Sequence, residues 1–158
     1  MHRLIVVLLA LVVVPTAAAT FSVTLNTGNT TAPGVTLTGV DQTKTFTIQI
    51  TVVQSTTTGW NVSAAATLPT VAGKSLPALS VTNVTRAACT PTGCSNPVNN
   101  VAWPVALAVG GTKIYNATAN SGQGSDVITA TVQITYPANA LPGSYVSTLT
   151  VSGVGTGP

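Results

Sequence analysis

Apolar and polar residues alternate along much of the chain, which is the pattern of a β-strand with one buried face. Within residues 44–52, Phe46, Ile48 and Ile50 fall on one side, and threonines and a glutamine fall on the other. Residues 126–136 repeat this alternation. A period of two residues, rich in β-branched side chains, predicts two long strands that each turn one face towards a core.

Shorter stretches of the same kind are separated by turn sequences such as Ala32-Pro33-Gly34 and Leu141-Pro142-Gly143. Further strands are expected at residues 21–26, 35–40, 59–66, 79–85, 101–109, 112–117 and 145–152. Pro104 lies inside one of them and has no N–H to donate, so that strand is expected to lie at a sheet edge or to bend. Short strands at such intervals predict an all-β fold, an antiparallel β-sandwich of about eight or nine strands.

The N-terminal residues have the three-part pattern of an export signal. A basic start, Met1-His2-Arg3, precedes an apolar run from Leu4 to Val14, and small residues end the segment at Ala19. The apolar run is shorter than the roughly 20 residues that cross a bilayer. We therefore expect residues 1–19 to be a secretory signal peptide and residues 20–158 to form a single domain without a stable membrane span. The protein is expected to be secreted and to associate with the cell surface.

The chain carries very little charge, with 4% charged residues where an ordinary globular protein has about 25%. After removal of the signal peptide, four cations and two anions remain, a net charge of +2. They are Lys44, Lys74, Arg86, Lys113, Asp41 and Asp126. Isolated cations do not form the basic patch that neutralises phosphates, so nucleic acid is excluded as a partner. A nearly uncharged surface favours association with other molecules or with further copies of the chain.

The residues that usually perform catalysis are scarce. The only histidine is His2, inside the expected signal peptide, and the chain has no glutamate. A serine or threonine nucleophile needs a histidine or lysine base, and paired-carboxylate chemistry would require Asp41 and Asp126 to meet. We therefore predict no catalytic residues, no metal site and no cofactor, and a protein that is not an enzyme.

Cys89 and Cys94 are the two cysteines. In an exported chain a disulfide between them is the first expectation, closing a small loop that contains Pro91 and Gly93. A redox pair would have two intervening residues and a helix start, and a metal site would need further cysteine or histidine ligands.

Trp60 follows a run of threonines and Gly59, at what the pattern indicates is a loop leading into a strand. Two interpretations stay open at this point. Its ring packs in the core, where a tryptophan buries a large area, or it forms an exposed platform for a sugar ring. In the second case Trp60, Asn61 and Val62 are the candidate binding residues.

Two stretches resemble the bacterial WxL surface domain. Residues 50–64, with Thr51-Val52-Val53 and then Gly59-Trp60-Asn61-Val62, are similar to the first signature of that family. Residues 136–150, with Pro137, Ala140 and Gly143-Ser144-Tyr145, are similar to its closing motif. The second Trp-x-Leu of the family would fall at Val151-Ser152-Gly153, where neither tryptophan nor leucine is present. The resemblance implies secretion, a β-sandwich and non-covalent attachment to the cell wall through peptidoglycan.

Two functions follow as expectations. The first is a secreted bacterial surface protein, non-covalently associated with the envelope, whose partner is a cell-wall or envelope glycan. The second is a structural subunit of an extracellular fibre or surface layer, whose partners are copies of itself. Open, uncharged strand edges favour strand addition from another chain, and residues 20–26 are the candidate donor strand.

Overall fold

The computed structural model describes residues 20–26, 31–87, 89 and 94–156. The expected signal peptide, residues 1–19, lies outside the described residues. The strands are β1 (Phe21–Leu25), β2 (Gln42–Gln54), β3 (Trp60–Ala66), β4 (Thr70–Val71), β5 (Lys74–Ser75), β6 (Ser80–Arg86), β7 (Val105–Ala106), β8 (Thr112–Ala117), β9 (Gly124–Tyr136) and β10 (Leu149–Val154). In the described part of the chain no helix is long and apolar enough to cross a membrane.

The strands form two main sheets that face each other. One sheet has the order β1-β2-β9-β6-β7 and the other the order β10-β3-β8, while β4 and β5 form a separate hairpin. Every pair of neighbouring strands is antiparallel. The predicted all-β, sandwich-like fold is therefore confirmed, with ten strands in the described residues.

The core lies between the sheets and follows the alternation of the two long strands. β2 and β9 pair over their whole length, thirteen residues each, from Gln42↔Tyr136 to Gln54↔Gly124. The inward faces of the two strands contribute Ile48, Ile50, Val52, Ile128, Ala130 and Val132, all buried. Because burial of one such aliphatic side chain contributes about 1.5–3 kcal/mol, this central pair is the main source of stability in the larger sheet.

Three predicted strands differ from the structure. Residues 35–40 form no strand, residues 101–109 contain only the two-residue β7, and the last strand begins at Leu149 rather than at residue 145. Pro104 explains the second difference in part, since it cannot donate to a ladder, and β7 lies at a sheet edge as expected. The chain before it is held to β8 by side chains instead, including a bond from Trp103 Nε1 to the Ile114 carbonyl at 2.9 Å.

β1 belongs to its own domain, which corrects the expectation that residues 20–26 are a free donor strand. It pairs with β2 from Phe21↔Gln54 to Leu25↔Ile50. Its Phe21 ring lies against Gly153 and Gly155, where a Cβ would approach the ring to 3.0 and 2.5 Å. The space that a side chain at position 153 or 155 would need is thus taken by β1.

Candidate functional site: a groove at the open end of the sandwich

The two ends of the sandwich differ in packing. We call the end that contains Gln54, Trp60 and Asp126 the closed end, and the end that contains Phe46 and Tyr136 the open end. β2 runs from the open end to the closed end, and β9 runs back. The residues singled out from the sequence are distributed between these ends, and their positions decide which of them are available to a ligand.

Trp60 lies in the closed end and is fully buried. Its Nε1 donates to the Gly122 carbonyl at 2.8 Å, and its ring stacks on Tyr115 at a centroid distance of 5.8 Å. Gly122 has a φ of +68°, and a Cβ there would collide with the indole and with Ala117. Of the two interpretations of Trp60, the core position is the one found in the structure.

The neighbours of Trp60 alternate in exposure along β3. Val62 is fully buried, whereas Asn61 is only partly buried. Of the three residues predicted to bind a glycan, two therefore pack inside the sandwich and only Asn61 presents part of its side chain to solvent. The exposed sugar platform, the second of the two interpretations, does not form at the position of Trp60.

Asp126 is a buried carboxylate in the closed end. Its Oδ1 accepts from Arg86 Nη1 at 3.2 Å, and its Oδ2 is buried without a hydrogen-bond partner among the described residues. Burial raises the pKa of Asp126 above its ordinary value, while the hydrogen bond and the charge of Arg86 oppose that rise. Burial likewise raises the pKa of the nearby Tyr115 phenol.

The disulfide between Cys89 and Cys94 is present, as predicted. It lies against the first residue of β9, because a Cβ on Gly124 would meet Cys94 and would lie 3.2 Å from Cys89 Sγ. Ser95 N donates to the Gln123 carbonyl at 2.9 Å, which joins the residue after Cys94 to the residue that precedes β9. The disulfide therefore braces the closed end.

The two carboxylates are far apart. Asp126 stands near the start of β9, whereas Asp41 Oδ1 accepts from Ala138 N, just beyond the end of that strand, at 2.8 Å. At about 3.3 Å per residue, the intervening strand separates them by roughly 30 Å. Carboxylates that act as a pair on one bond lie within roughly 10 Å of each other, so Asp41 and Asp126 do not form such a pair.

The open end contains a groove of about 1070 Å³ between the two sheets. Its floor includes Phe46, Ile48 and Ile134 from β2 and β9, and residues 141–149 form one wall. The lining also includes Thr31, Ala32, Gly34, Val35 and Leu37. None of the lining residues is charged. Such a volume is large enough for a ligand, because ligand sites commonly occupy about 300–1,000 Å³.

Tyrosines hold the wall of the groove in place. Tyr145 Oη accepts from Leu141 N at 3.0 Å and donates to the Leu141 carbonyl at 2.9 Å. The Tyr145 ring meets the Tyr136 ring edge to face, with centroids 6.4 Å apart. Burial raises the pKa of the Tyr136 phenol, with a smaller contribution from Tyr145, so this phenol stays neutral at physiological pH. The closing motif quoted from the sequence thus lies in the groove wall.

One edge of β2 runs beside the groove. β1 covers β2 only from Ile50 to Gln54, and Asn26 N adds one bond to the Gln49 carbonyl. On that side of residues 42–48 the described chain provides no further strand. Backbone groups of alternate residues point to the same side of a strand, so Thr43, Thr45 and Thr47 direct theirs, like Gln49, towards this edge.

The groove was not among the sites predicted from the sequence. Its signals in the sequence were Tyr136 and Tyr145, which were singled out through predicted strands and the family resemblance rather than as groove residues. Exposed apolar residues such as Val146 are a further signal, but a sequence does not reveal their exposure. No protein-family model, no curated protein and no solved structure matches this chain.

Proposed function

We propose that the protein is an exported bacterial surface protein without enzymatic activity, held at the cell envelope by non-covalent contacts in the groove. The groove at the open end carries this proposal, because it is the large, uncharged and accessible concavity of the described chain. An extended ligand would fit it best, since the lining includes the continuous segment 141–149 as well as Phe46 and Ile48 of β2.

The chemistry of the lining favours an uncharged polymer that offers both apolar faces and hydroxyl groups. Phe46, Tyr136 and Tyr145 provide aromatic surface, while Ser144 and Thr148 provide hydroxyl groups. Aromatic rings with polar neighbours are suited to sugar rings, whose faces are apolar and whose edges carry hydroxyls. An envelope glycan fits this description. The similarity of residues 136–150 to the closing motif of WxL domains supports the same ligand class.

The positions of the ionisable groups support a role in binding rather than in catalysis. Asp126 is engaged by Arg86, and Asp41 receives a hydrogen bond from the Ala138 backbone. Both acids thus have structural partners and lie roughly 30 Å apart along β9. Neither Asp41 nor Asp126 lines the groove.

A retention assay with two matched variants tests the proposal. Val146 and Val109 are both strongly exposed, at 68% and 72%, but only Val146 lines the groove. The secreted protein, V146D and V109D are each mixed with purified peptidoglycan and with whole isolated envelopes. We expect V146D to lose at least tenfold in retention and V109D to bind like the unsubstituted protein.

The outcomes separate the groove from the rest of the surface. Equal loss in V146D and V109D would show that added negative charge, rather than the groove, weakens retention. Absence of retention of the unsubstituted protein on both materials would overturn envelope binding. Circular dichroism of both variants checks that the fold is kept, which is expected for substitutions at exposed side chains.

One observation favours a second candidate function, a structural subunit that assembles by strand addition. The edge of β2 at residues 43–47, which carries no strand of the described residues, lies beside an apolar groove, and strand addition uses such an edge for backbone bonds and such a groove for side chains. This candidate predicts that the purified protein forms oligomers whose molar mass rises with concentration, measured by light scattering. A single species with the molar mass of one chain at every concentration would exclude it.

A further inference from the structure

Neither proposed function uses the sequons of this chain, the motif Asn-x-Ser/Thr with any residue except proline in the middle. In secreted proteins the asparagine of this motif is the acceptor of a glycan. The motif occurs at Asn29, Asn61, Asn83 and Asn116. Asn29 lies outside the described residues, and the other three differ in how far an enzyme could reach them.

Two of the three described acceptors are engaged within the domain. Asn116 on β8 is only 3% exposed, and its Oδ1 accepts from Asn100 N at 2.8 Å. A bulky glycan on Asn116 would have no room and would replace this bond. Asn61 lies on β3, the central strand of the smaller sheet, where it is partly buried and is in contact with another residue.

Asn83 is the accessible acceptor. On β6, Val81 and Val84 are buried in the core, whereas Asn83 and Thr85 are both exposed on the outer face of the larger sheet. Residues two apart on a strand lie on the same face, so one enzyme can reach the acceptor amide and the threonine hydroxyl together. The Asn83 side chain makes no hydrogen bond to any residue of the described ranges, so modification breaks no contact there.

A β-bulge adjoins the acceptor. Val81 lies opposite Val132 and Asn83 opposite Thr131, so two residues of β6 are spanned by one step of β9. The hydroxyl of the intervening Thr82 donates to the Thr131 carbonyl at 3.3 Å. A bulge disrupts the ladder locally and changes the direction of nearby side chains. The acceptor therefore stands at an irregular point of its strand and not within an unbroken ladder.

We propose that Asn83 is a site of asparagine-linked glycosylation in the exported protein. The donor is an oligosaccharide joined through a diphosphate to a membrane lipid, and a membrane transferase of the host catalyses the step. Asn83 Nδ2 forms a bond to the anomeric carbon of the first sugar. The bond from that carbon to the diphosphate breaks, and the lipid diphosphate leaves with the electron pair. The amide nitrogen gives up one proton to a base of the transferase.

The position of the site gives the glycan a physical role. The nearest outer-face neighbours of Asn83 on β9 and β2 are Thr131, Thr129, Gln133 and Thr47, none of them charged. An uncharged surface favours association between copies, and a hydrated, bulky glycan on that surface opposes it. The groove lies between the sheets, so a glycan on the outer face leaves it open. The inference thus rests on export of the chain and not on the groove.

Tryptic mapping of the protein secreted by its own host tests the site. Cleavage after Lys74 and after Arg86 releases residues 75–86, in which Asn83 is the single asparagine. We expect this peptide to carry the added mass of a glycan. Fragmentation of the intact glycopeptide should place that mass on Asn83.

The same digest contains the internal controls. Asn61 falls in the peptide of residues 45–74 and Asn116 in that of residues 114–158, so each described sequon is measured separately. Both of these peptides should keep their unmodified masses. A glycan on Asn116 would contradict the selection of acceptors by exposure.

Two substitutions of one exposed residue separate the sequon from its surroundings. T85A removes the hydroxyl of the motif and leaves Asn83 in place, whereas T85S keeps a hydroxyl. Substitutions at an exposed side chain leave the fold intact, which circular dichroism checks. We expect T85A to lose the added mass on residues 75–86 and T85S to retain it. N83Q should lose it as well.

The remaining outcomes overturn the proposal in distinguishable ways. An unmodified peptide 75–86 in the secreted protein would remove Asn83 as an acceptor and leave envelope retention through the groove untouched. Added mass that persists in both T85A and N83Q would place the modification on a serine or threonine hydroxyl instead. Absence of the protein from the exported fraction would remove the export on which both the glycan and the envelope role depend.

Discussion

The closed and open ends of this sandwich use the same two long strands to different effect. At the closed end, β2 and β9 carry Gln54 and Asp126, both buried, and the adjacent Trp60 fills the space between the sheets. At the open end, the same strands carry Phe46 and Tyr136, which are only partly buried beside a large groove. One end therefore holds the fold together, and the other end leaves apolar surface available to a partner.

Polar groups show the same contrast. At the closed end, Gln54 Nε2 donates to the Gly59 and Gly155 carbonyls at 3.1 and 3.0 Å, which joins β2 to the start of β3 and the end of β10. At the open end, the edge of β2 beyond Gln49 carries backbone groups that no strand of the described chain satisfies. Substitutions at the two ends should consequently differ in their cost to stability.

The largest effect is expected for Trp60→Ala at the closed end. The variant removes a fully buried ring and the donor to the Gly122 carbonyl, so the free energy of unfolding should fall by about 3–5 kcal/mol. Urea denaturation followed by tyrosine and tryptophan fluorescence measures this loss. Trp103→Ala, which removes a partly buried ring, should lower the free energy of unfolding clearly less. Equal losses in the two variants would contradict the tight packing of Trp60 in the closed end.

For Arg86→Met, the free energy of unfolding at neutral pH should fall by about 3 kcal/mol, because the substitution leaves the Asp126 carboxylate buried without its partner. Burial already raises the pKa of Asp126 in the folded protein. The folded state therefore binds this proton more tightly than the unfolded state, and this group's contribution to stability falls as the pH rises from the ordinary value to the raised one.

Without Arg86 the pKa of Asp126 should rise further, so the difference between Arg86→Met and the unsubstituted protein should shrink as the pH is lowered. Unfolding curves at several pH values between neutral and acid check this. Lys113→Met removes an exposed cation on β8 and should change stability by less than about 0.5 kcal/mol. A pH-independent cost of Arg86→Met would contradict an ionised, buried Asp126.

Removal of the disulfide by the double substitution Cys89→Ser and Cys94→Ser should cost about 2 kcal/mol, since so short a loop restricts the unfolded chain only modestly. Thermal unfolding with and without a reductant gives the same comparison on the unsubstituted protein. The variant should be retained on envelopes as well as the unsubstituted protein is, because the disulfide braces the end opposite the groove. A parallel loss of retention would mean that the two ends are coupled.

The smallest stability effect is expected at the open end, for Tyr145→Phe. The variant loses the two bonds between the phenol and Leu141, which are exposed to water, so the cost should be about 1 kcal/mol or less. Its retention on envelopes should nevertheless fall, since the wall of the groove loses its internal bonds. Stability measured by urea and retention measured on the same preparation separate these effects, and unchanged retention would remove Tyr145 as a positioning residue.

Alternation predicted most strands within two residues, whether they lie inside a sheet or at its edge. The expected strand at residues 126–136 matches β9, which pairs with β2 and β6, and the expected strands at residues 21–26 and 112–117 match the edge strands β1 and β8. Residues 35–40 show that the same alternation indicates only a capacity to pair, since this segment has no ladder in the structure. Whether such a segment pairs depends on whether a strand edge lies beside it in the folded chain, and the local sequence does not contain that information.

The candidate site, like the strands, could be predicted from the sequence only in part. Sequence reasoning identified the disulfide and offered the core as one position for Trp60, because a cysteine pair in a short loop and a large aromatic ring have strong local preferences. It did not identify the groove, whose floor and walls come from segments more than a hundred residues apart, such as Leu25 and Leu149. That closeness arises only when β10 pairs with β3 and brings the C-terminal segment beside β2.

The full-length pairing of the two long strands has a mechanical consequence. A pull along the axis of β2 would act on a strand whose thirteen residues all pair with β9. Antiparallel hydrogen bonds lie across the strands, so a pull along the strand loads them together in shear instead of opening them one after another. Tension applied to β2 at the open end would thus be transmitted along the strand to the disulfide-braced closed end.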